Sequence, residues 1–362
     1  MSTQQIDATM VPYQVLNEEG RLVGPLPDMG ASAGDTSMYF YRTMSLARAF
    51  SNKIIALQRQ GRATTFGSLV GQEATAIGLA APLQAQDWLA TSYREIGSHI
   101  IKGVPLTTLI YSFRGFTPTY PQGVNCLPIQ IVIGTQMLHA VGLAMGAKLS
   151  GEPAVAVGVC GDGATSEGDF SEALNFAGVY KAPVVLVVQN NGWAISVPRK
   201  RQSAATTLAV RGVGFGLPSR LVDGNDIFAV YAVMREAVER ARAGDGPTLV
   251  EALTYRIGAH TTADDPTRYR DEQEVEAWRA KDPLARLRRY LLAEGLLTEE
   301  SDRELQASVE EEVNEAASEA LAMPPNAPDS FFAWASENPS PRLQAQHTEM
   351  LRALRQSQDE RE

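Results

Sequence analysis

Apolar residues follow two rhythms along this chain. In its middle third they gather into short unbroken runs, Ala154 to Cys160 (AVAVGVC) and Val184 to Val188, as expected of strands buried on both faces of a sheet. Between those runs the pattern turns helical over 168–180, until Ala182-Pro183 breaks it. The alternation continues with a helix near 206–213, a strand at 219–223, a helix at 226–243 and a strand at 248–254. Strands separated by helices predict a mostly parallel sheet with right-handed crossovers. Upstream, Asp35 or Thr36 is placed to cap a long helix ending at Gly61, with Met38, Tyr41, Met44, Leu46, Ala49, Ile54 and Leu57 on its apolar side. Further helices are expected at 72–81 and 135–149, the latter rich in small residues (Ala140, Gly142, Ala144, Gly146, Ala147) suited to close packing. Residues 114–134, dense in Gly, Pro and Asn, read as a long ordered loop. From 272 onward the chain turns helical and acidic, with an apolar stripe of Leu305, Val309, Val313, Ala316, Ala320 and Leu321. MPPNAPDS interrupts this before a last amphipathic segment. The expected architecture is α/β, a mostly parallel sheet flanked by helices. It is divided into an arm over 1–34, one α/β domain over 35–296 and a helical extension over 297–362.

Composition narrows the function classes. The 362 residues carry a net charge of −10 without a basic block, which argues against nucleic acid or an anionic membrane as partner. No apolar stretch reaches membrane-spanning length, and the polar start lacks the features of a signal peptide. Two cysteines, Cys126 and Cys160, make no disulfide framework, so a cytoplasmic setting is expected.

The chemistry concentrates around Gly161-Asp162-Gly163 and Asn190-Asn191, separated by 26 residues, 164 to 189. A helix of about 12 residues runs roughly 18 Å out and a strand of about six returns roughly 20 Å, so both motifs end at one carboxyl edge of the sheet. Asp162 offers a hard carboxylate oxygen, Asn191 an amide oxygen and Trp193 a main-chain carbonyl. That set suits a divalent cation carrying phosphate. The glycines permit a tight turn and close approach of backbone N–H groups to an anion. Taken alone, GDG would more often be a simple strand–turn–helix; the NN one crossover later makes that reading the weaker one.

Four histidines are present, His99, His139, His260 and His347. His139 reads as a packed residue of the small-residue helix, His99 as core or as a neighbour of the site, and His347 as surface. His260 follows the strand at 248–254 in a loop of Arg256, Thr261, Thr262, Asp264, Asp265, Arg268, Tyr269 and Arg270. A catalytic histidine, able to shuttle protons near neutral pH, belongs in such a place, and a purely structural salt-bridged loop is the weaker alternative.

GDG followed by NN resembles the thiamine-diphosphate motif. The wider chain, from about Tyr13 to about Tyr290, resembles the alpha subunit of the decarboxylating component of 2-oxo acid dehydrogenase complexes, of pyruvate and branched-chain types. The resemblance rests on GQEA (71–74), SYRE (92–95), PQGVNCLPIQIVIGTQ (121–136), NNGWAIS (190–196), LVDGND (221–226) and YRIGAHTTADDPTRYR (255–270). It implies the thiamine-diphosphate-binding fold, with Mg²⁺ held by Asp162, Asn191 and the Trp193 carbonyl. It implies cofactor contacts at Tyr93, Arg94, Ile131, Ile133, Gly163, Ala164 and His260. His260 would also support transfer to a lipoyl group. Thr135 and Gln136, with the carbonyls of Gln130 and Val132, match a K⁺ site of branched-chain members. Gln189 stands where some members carry Arg, Trp193 where Tyr is more frequent, and Thr261 where some carry a phosphorylatable serine.

The implied reaction is oxidative decarboxylation of a 2-oxo acid, with acyl transfer to the lipoyl domain of a dihydrolipoamide acyltransferase. Pyruvate is favoured, with 2-oxoisovalerate or an acetoin-type substrate as alternatives decided by pocket residues near Phe66 and by the partner. The glutamate that activates the cofactor would come from a beta subunit in an α2β2 assembly, since Glu73 and Glu95 lie in other family segments. A reading of another class is a non-catalytic Mg²⁺- or nucleotide-binding scaffold, against which the 255–270 loop argues.

Overall fold

A computed structural model describes residues 10–30, 32–333 and 335–359, with side chains to 356. Of the expected arm, residues 1–9 lie outside the described residues. Five parallel strands make the central sheet: β1 (Trp88–Ala90), β2 (Ala156–Gly161), β3 (Val184–Asn190), β6 (Ser219–Asp223) and β7 (Thr248–Leu253). Their order is β1-β2-β3-β7-β6, and a two-stranded hairpin, β4 (Trp193–Ala194) with β5 (Val197–Pro198), stands apart. The expected α/β class with a mostly parallel sheet is the one observed.

Alternation along the strands divides the core into two faces. Val155, Val157, Val159, Val185, Val187, Val250 and Ala252 join the helices Ala33–Arg59 and Ile227–Arg242 on one side. Ala156, Cys160, Val184, Leu186, Val188 and Leu249 face the helices Thr135–Ser150 and Gly168–Tyr180 on the other. Unbroken apolar runs are what a strand covered on both faces requires. Close packing of the small-residue helix is concrete at Gly158, where an added Cβ would lie 2.8 Å from the Ala140 Cβ. Ala140, Ala144 and Ala147 are buried there, but Gly142, Gly146 and His139 face outward, so His139 is not the packed residue expected.

Other boundaries differ for local reasons. Ser32, not Asp35 or Thr36, caps the first long helix by accepting from the Asp35 N–H. The helix expected near 206–213 shrinks to Val210–Gly214, because its four glycines and prolines within 212–218 cannot sustain one. Elements that escaped the pattern include β1, the hairpin, the helix Leu106–Phe113 and the short turn Arg199–Gln202. The acidic helix Glu299–Ala322 lays Val309, Val313, Ala317 and Ala320 into the main core.

One carboxylate ties the N-terminal segment to the sheet. Asp226 is fully buried; its Oδ1 accepts from the N–H groups of Phe228 and Ala229, capping the helix Ile227–Arg242. Its Oδ2 accepts from Val15 and Leu16 at 2.7 and 2.6 Å, while Tyr13 pairs with Val222 beside β6. Replacing Asp226 by Ala strands four backbone donors in the interior. The expected cost is roughly 3–5 kcal/mol in urea unfolding, with early loss of hydrogen-exchange protection at residues 15 and 16.

Candidate active site

Parallel register sets the site. Gly161 pairs with Gln189 and Asn190 with Leu253, so the chain leaves β2, β3 and β7 on a common rim. Beyond those ends lie Asp162, Asn191 and Arg256, and beyond β1 come Tyr93, Arg94 and Glu95. A cavity of about 520 Å³ opens there. Tyr93, Arg94, Ile131, Ile133, Asp162, Gly163, Ala164, Asn191, Trp193 and His260, every residue singled out from the sequence for cofactor or Mg²⁺, line it.

Asp162 sits at the start of a single tight turn, Asp162–Ser166, and is 2% exposed. Its Oδ2 is buried without a hydrogen-bond partner, and burial pushes its carboxyl up to about 6. A carboxylate oxygen desolvated and left unpaired is what a hard cation would compensate. Gly163 closes the turn against the hairpin, where a Cβ would lie 2.7 Å from that of Ala194.

Asn191 is held from behind. Its Nδ2 donates to Gln72 Oε1 at 3.0 Å, which orients its Oδ1; that oxygen accepts from the Trp193 N–H at 3.2 Å. Gln72 Oε1 also accepts from Gln189 Nε2, which in turn donates to Glu95 Oε1 at 3.0 Å. The first asparagine of the pair is spent structurally, Asn190 Nδ2 donating to Glu251. Glu95 is buried, retains an unpartnered Oε2 and is pushed up by burial to about 7. Its role as a floor of the cavity was missed in the sequence, as was the support Gln72 gives Asn191 from behind.

The cationic side of the cavity belongs to Arg94 and Arg256. Arg94 Nη1 donates to the Ser68 carbonyl at 2.8 Å and Nη2 to the His260 carbonyl at 2.5 Å, strapping two loops together. Gly67 makes room for it, since a Cβ there would lie 2.8 Å from Arg94 Nη1. Arg256 is fully buried; its Nη2 bonds Ile195 O and the Tyr269 hydroxyl, while Nε and Nη1 have no partner. Its position just past β7 was the signal that would have found it.

His260 lies with its Nε2 3.3 Å from the Tyr93 hydroxyl, and its backbone N–H donates to Asp264. Tyr269 donates to the same Asp264 oxygen, and Arg270 braces the carbonyls of Arg256, Ile257 and Gly258. Burial, with Arg94 and Arg256 nearby, pushes His260 down to about 4. Burial first, and the two adjacent guanidinium groups after it, therefore keep the imidazole neutral at neutral pH, where titration was expected from the sequence. Phe66 does not line the cavity but packs edge-on behind Phe113, which does. His99 is fully buried against Tyr120, a core residue. At the loop end, Gln136 is fully buried with both amide atoms unpartnered, and Thr135 Oγ1 donates to the Val132 carbonyl at 3.3 Å.

Known proteins share this chain's sequence over most of its length. The family model described as "Dehydrogenase E1 component" matches residues 41–329. The 3-methyl-2-oxobutanoate dehydrogenase subunit alpha of Mycobacterium tuberculosis is 45% identical over 324 residues, 88% of this chain and 87% of that relative. The pyruvate dehydrogenase E1 component subunit alpha of Acholeplasma laidlawii is 45% identical over 284 residues, 78% of this chain and 82% of its own length. That of Staphylococcus epidermidis is 42% identical over 312 residues, 85% and 84%.

The raised Asp162 carboxyl has a direct consequence for stability. Between about pH 4 and pH 6 the folded chain keeps a proton there that the unfolded chain releases. Stability is thus undiminished below about pH 4, falls as pH rises through 6 and stays reduced above. Without divalent cation, Asp162→Asn is expected to stabilise the chain by roughly 2–3 kcal/mol at pH 7 and by little at pH 4, as read from urea unfolding.

Proposed function

Since the chain belongs to the dehydrogenase E1 component family, as the alpha subunit of a thiamine-diphosphate-dependent 2-oxo acid dehydrogenase, we propose that the cavity at the sheet rim binds the cofactor with Mg²⁺. One observation carries this assignment of the site. Opposite charges, Asp162 and Arg256, are buried at one cavity with polar atoms left unpaired on each. A metal-bound diphosphate offers both complements, cation to the carboxylate and anion to the guanidinium.

Asp162, Asn191 and the Trp193 carbonyl would hold Mg²⁺. The Gly163 and Ala164 backbone, Tyr93, Arg94 and Arg256 would face diphosphate oxygens, and Ile131 and Ile133 the aminopyrimidine. Thiamine diphosphate supplies the carbanion chemistry that lets a 2-oxo acid lose its carboxylate. The residues of the chain position the reactants and exclude water. An anion between Arg94 and Arg256 would screen both cations and lift the part of the His260 depression that they cause, favouring proton donation from Nε2 during transfer to the lipoyl acceptor. Thr135, the orphaned Gln136 amide and the carbonyls of Gln130 and Val132 would take K⁺.

As an alpha subunit the chain works with a beta subunit. Within the proposed α2β2 assembly the beta subunit supplies the glutamate that activates the cofactor. Two features support this: the carboxylates lining the cavity, Asp162 and Glu95, both lie on its floor, and Ile131 and Val132 stand 72% and 65% exposed beside its mouth. The acyl acceptor is the lipoyl domain of the acyltransferase. We read the substrate as pyruvate; 3-methyl-2-oxobutanoate is the second reading, favoured by the Mycobacterium tuberculosis relative, whose match spans more of the chain than the Acholeplasma one. Steady-state rates of the reconstituted alpha–beta pair on the two acids separate these readings. Full turnover by the alpha chain alone would remove the need for a partner glutamate.

Titration calorimetry is expected to detect thiamine-diphosphate binding to the reconstituted pair only with Mg²⁺, and to detect none for Asp162→Ala; unchanged affinity overturns the metal site. In the same titrations K⁺ should tighten binding over Na⁺ in the wild type and not in Gln136→Leu. His260→Ala should lower lipoyl acylation at least about 10-fold more than decarboxylation with a small artificial electron acceptor. Equal losses would give His260 a role in cofactor binding alone.

A further inference from the structure

Beyond Trp193 and Ala194, the tip of the hairpin after Asn191 carries features that cofactor binding does not use. Its tip residue Ile195 has φ 55°, the left-handed region that a β-branched side chain avoids at a cost of about 1–2 kcal/mol. Arg256 holds it there through the Ile195 carbonyl at 2.7 Å. The consequence is an Ile side chain 57% exposed at the cavity mouth, next to Val197, 41% exposed. Backbone strain of this kind persists where the surrounding structure enforces a presented side chain.

Directly behind the tip comes a cationic turn, Arg199–Gln202, with no buried residue. Arg199 is occupied, donating to the carbonyls of Ala205 and Thr206 at 2.6 and 2.8 Å. Lys200 and Arg201 are exposed, and neither forms an ion pair among the described residues. Gln202 bolts the turn to the Asp162–Ser166 turn by accepting from the Ser166 hydroxyl. Two free cations are therefore fixed beside the cavity rim of a chain whose net charge is −10. The triplet is too short to track a nucleic-acid backbone, and its neighbours Ile195 and Val197 are apolar.

We propose that this tip and turn form the docking surface for an acidic protein domain that brings the acyl-accepting arm to the cavity. The proposal rests on the transfer reaction assigned above. An acidic partner is repelled by the chain as a whole and attracted at Lys200 and Arg201, so the field itself turns the partner toward the mouth. Ile195 and Val197 then give it a dry contact at the point of entry.

The test uses the reconstituted alpha–beta holoenzyme carrying Lys200→Glu and Arg201→Glu together. Decarboxylation with a small artificial acceptor is expected to stay within about 2-fold of wild type. The kcat/KM for acylating the isolated lipoylated domain should fall at least about 10-fold at low salt. Added NaCl should slow the wild type and leave the variant nearly flat. Lys200→Arg with Arg201→Lys should behave as wild type. Unchanged kcat/KM and an unchanged salt slope overturn the proposal. Loss of alpha–beta association in sedimentation overturns it too, assigning the patch to the subunit interface. If the wild-type pair decarboxylates no 2-oxo acid, the functional reading fails on its own. Fluorescence anisotropy of the labelled lipoylated domain then decides docking, equal affinity for wild type and variant being the refuting result.

Discussion

Everything at the rim follows from the parallel register of β2, β3 and β7. Because Gly161 pairs with Gln189 and Asn190 with Leu253, three strands finish within a residue of one another, and Asp162, Asn191 and Arg256 follow at one rim. A slip of one residue in β3 would exchange its two buried faces, moving Val185 and Val187 into the packing of Val184 and Leu186. The apolar core on both sides of the sheet thus enforces the alignment of side chains that themselves contribute nothing to packing.

The polar groups so aligned are poorly compensated within the chain. Asp162 and Glu95 are pushed upward by burial, and Arg256 keeps unpartnered N–H groups. Gln189 and Gln72 link Glu95 to Asn191 through neutral amides. A cation at 189 would give Glu95 a charged partner; the neutral glutamine leaves that acid raised by burial to about 7.

Much of this was legible because the signals were local. The runs at 154–160 and 184–188, the glycines around Asp162 and the crossover length between the motifs fixed two strands, one helix and their shared edge. What escaped depended on distant neighbours. β1 is three residues long, and only its pairing with β2 identifies it. Glu95 looks like an ordinary helix-start acid until Gln189 and the cavity are placed beside it. Arg256 was visible as one charge in a crowded loop, but its burial is a tertiary fact. His139 was misread because the helix turns its smallest residues, Gly142 and Gly146, to the outside. His260 was singled out by position, yet its depressed basicity comes from burial first and then from Arg94 and Arg256, which only the folded chain brings beside it.

Gly67 carries no functional group, yet it limits what this active site tolerates. A methyl group at that position would press on a guanidinium that is already anchored to two carbonyls, one of them His260's. The side chain could escape only by releasing an anchor, freeing the histidine loop from its neighbour. Sequence drift in the unremarkable 64–71 segment is thus policed by an arginine it never bonds through a side chain, and a hydrogen atom becomes the site's narrowest tolerance.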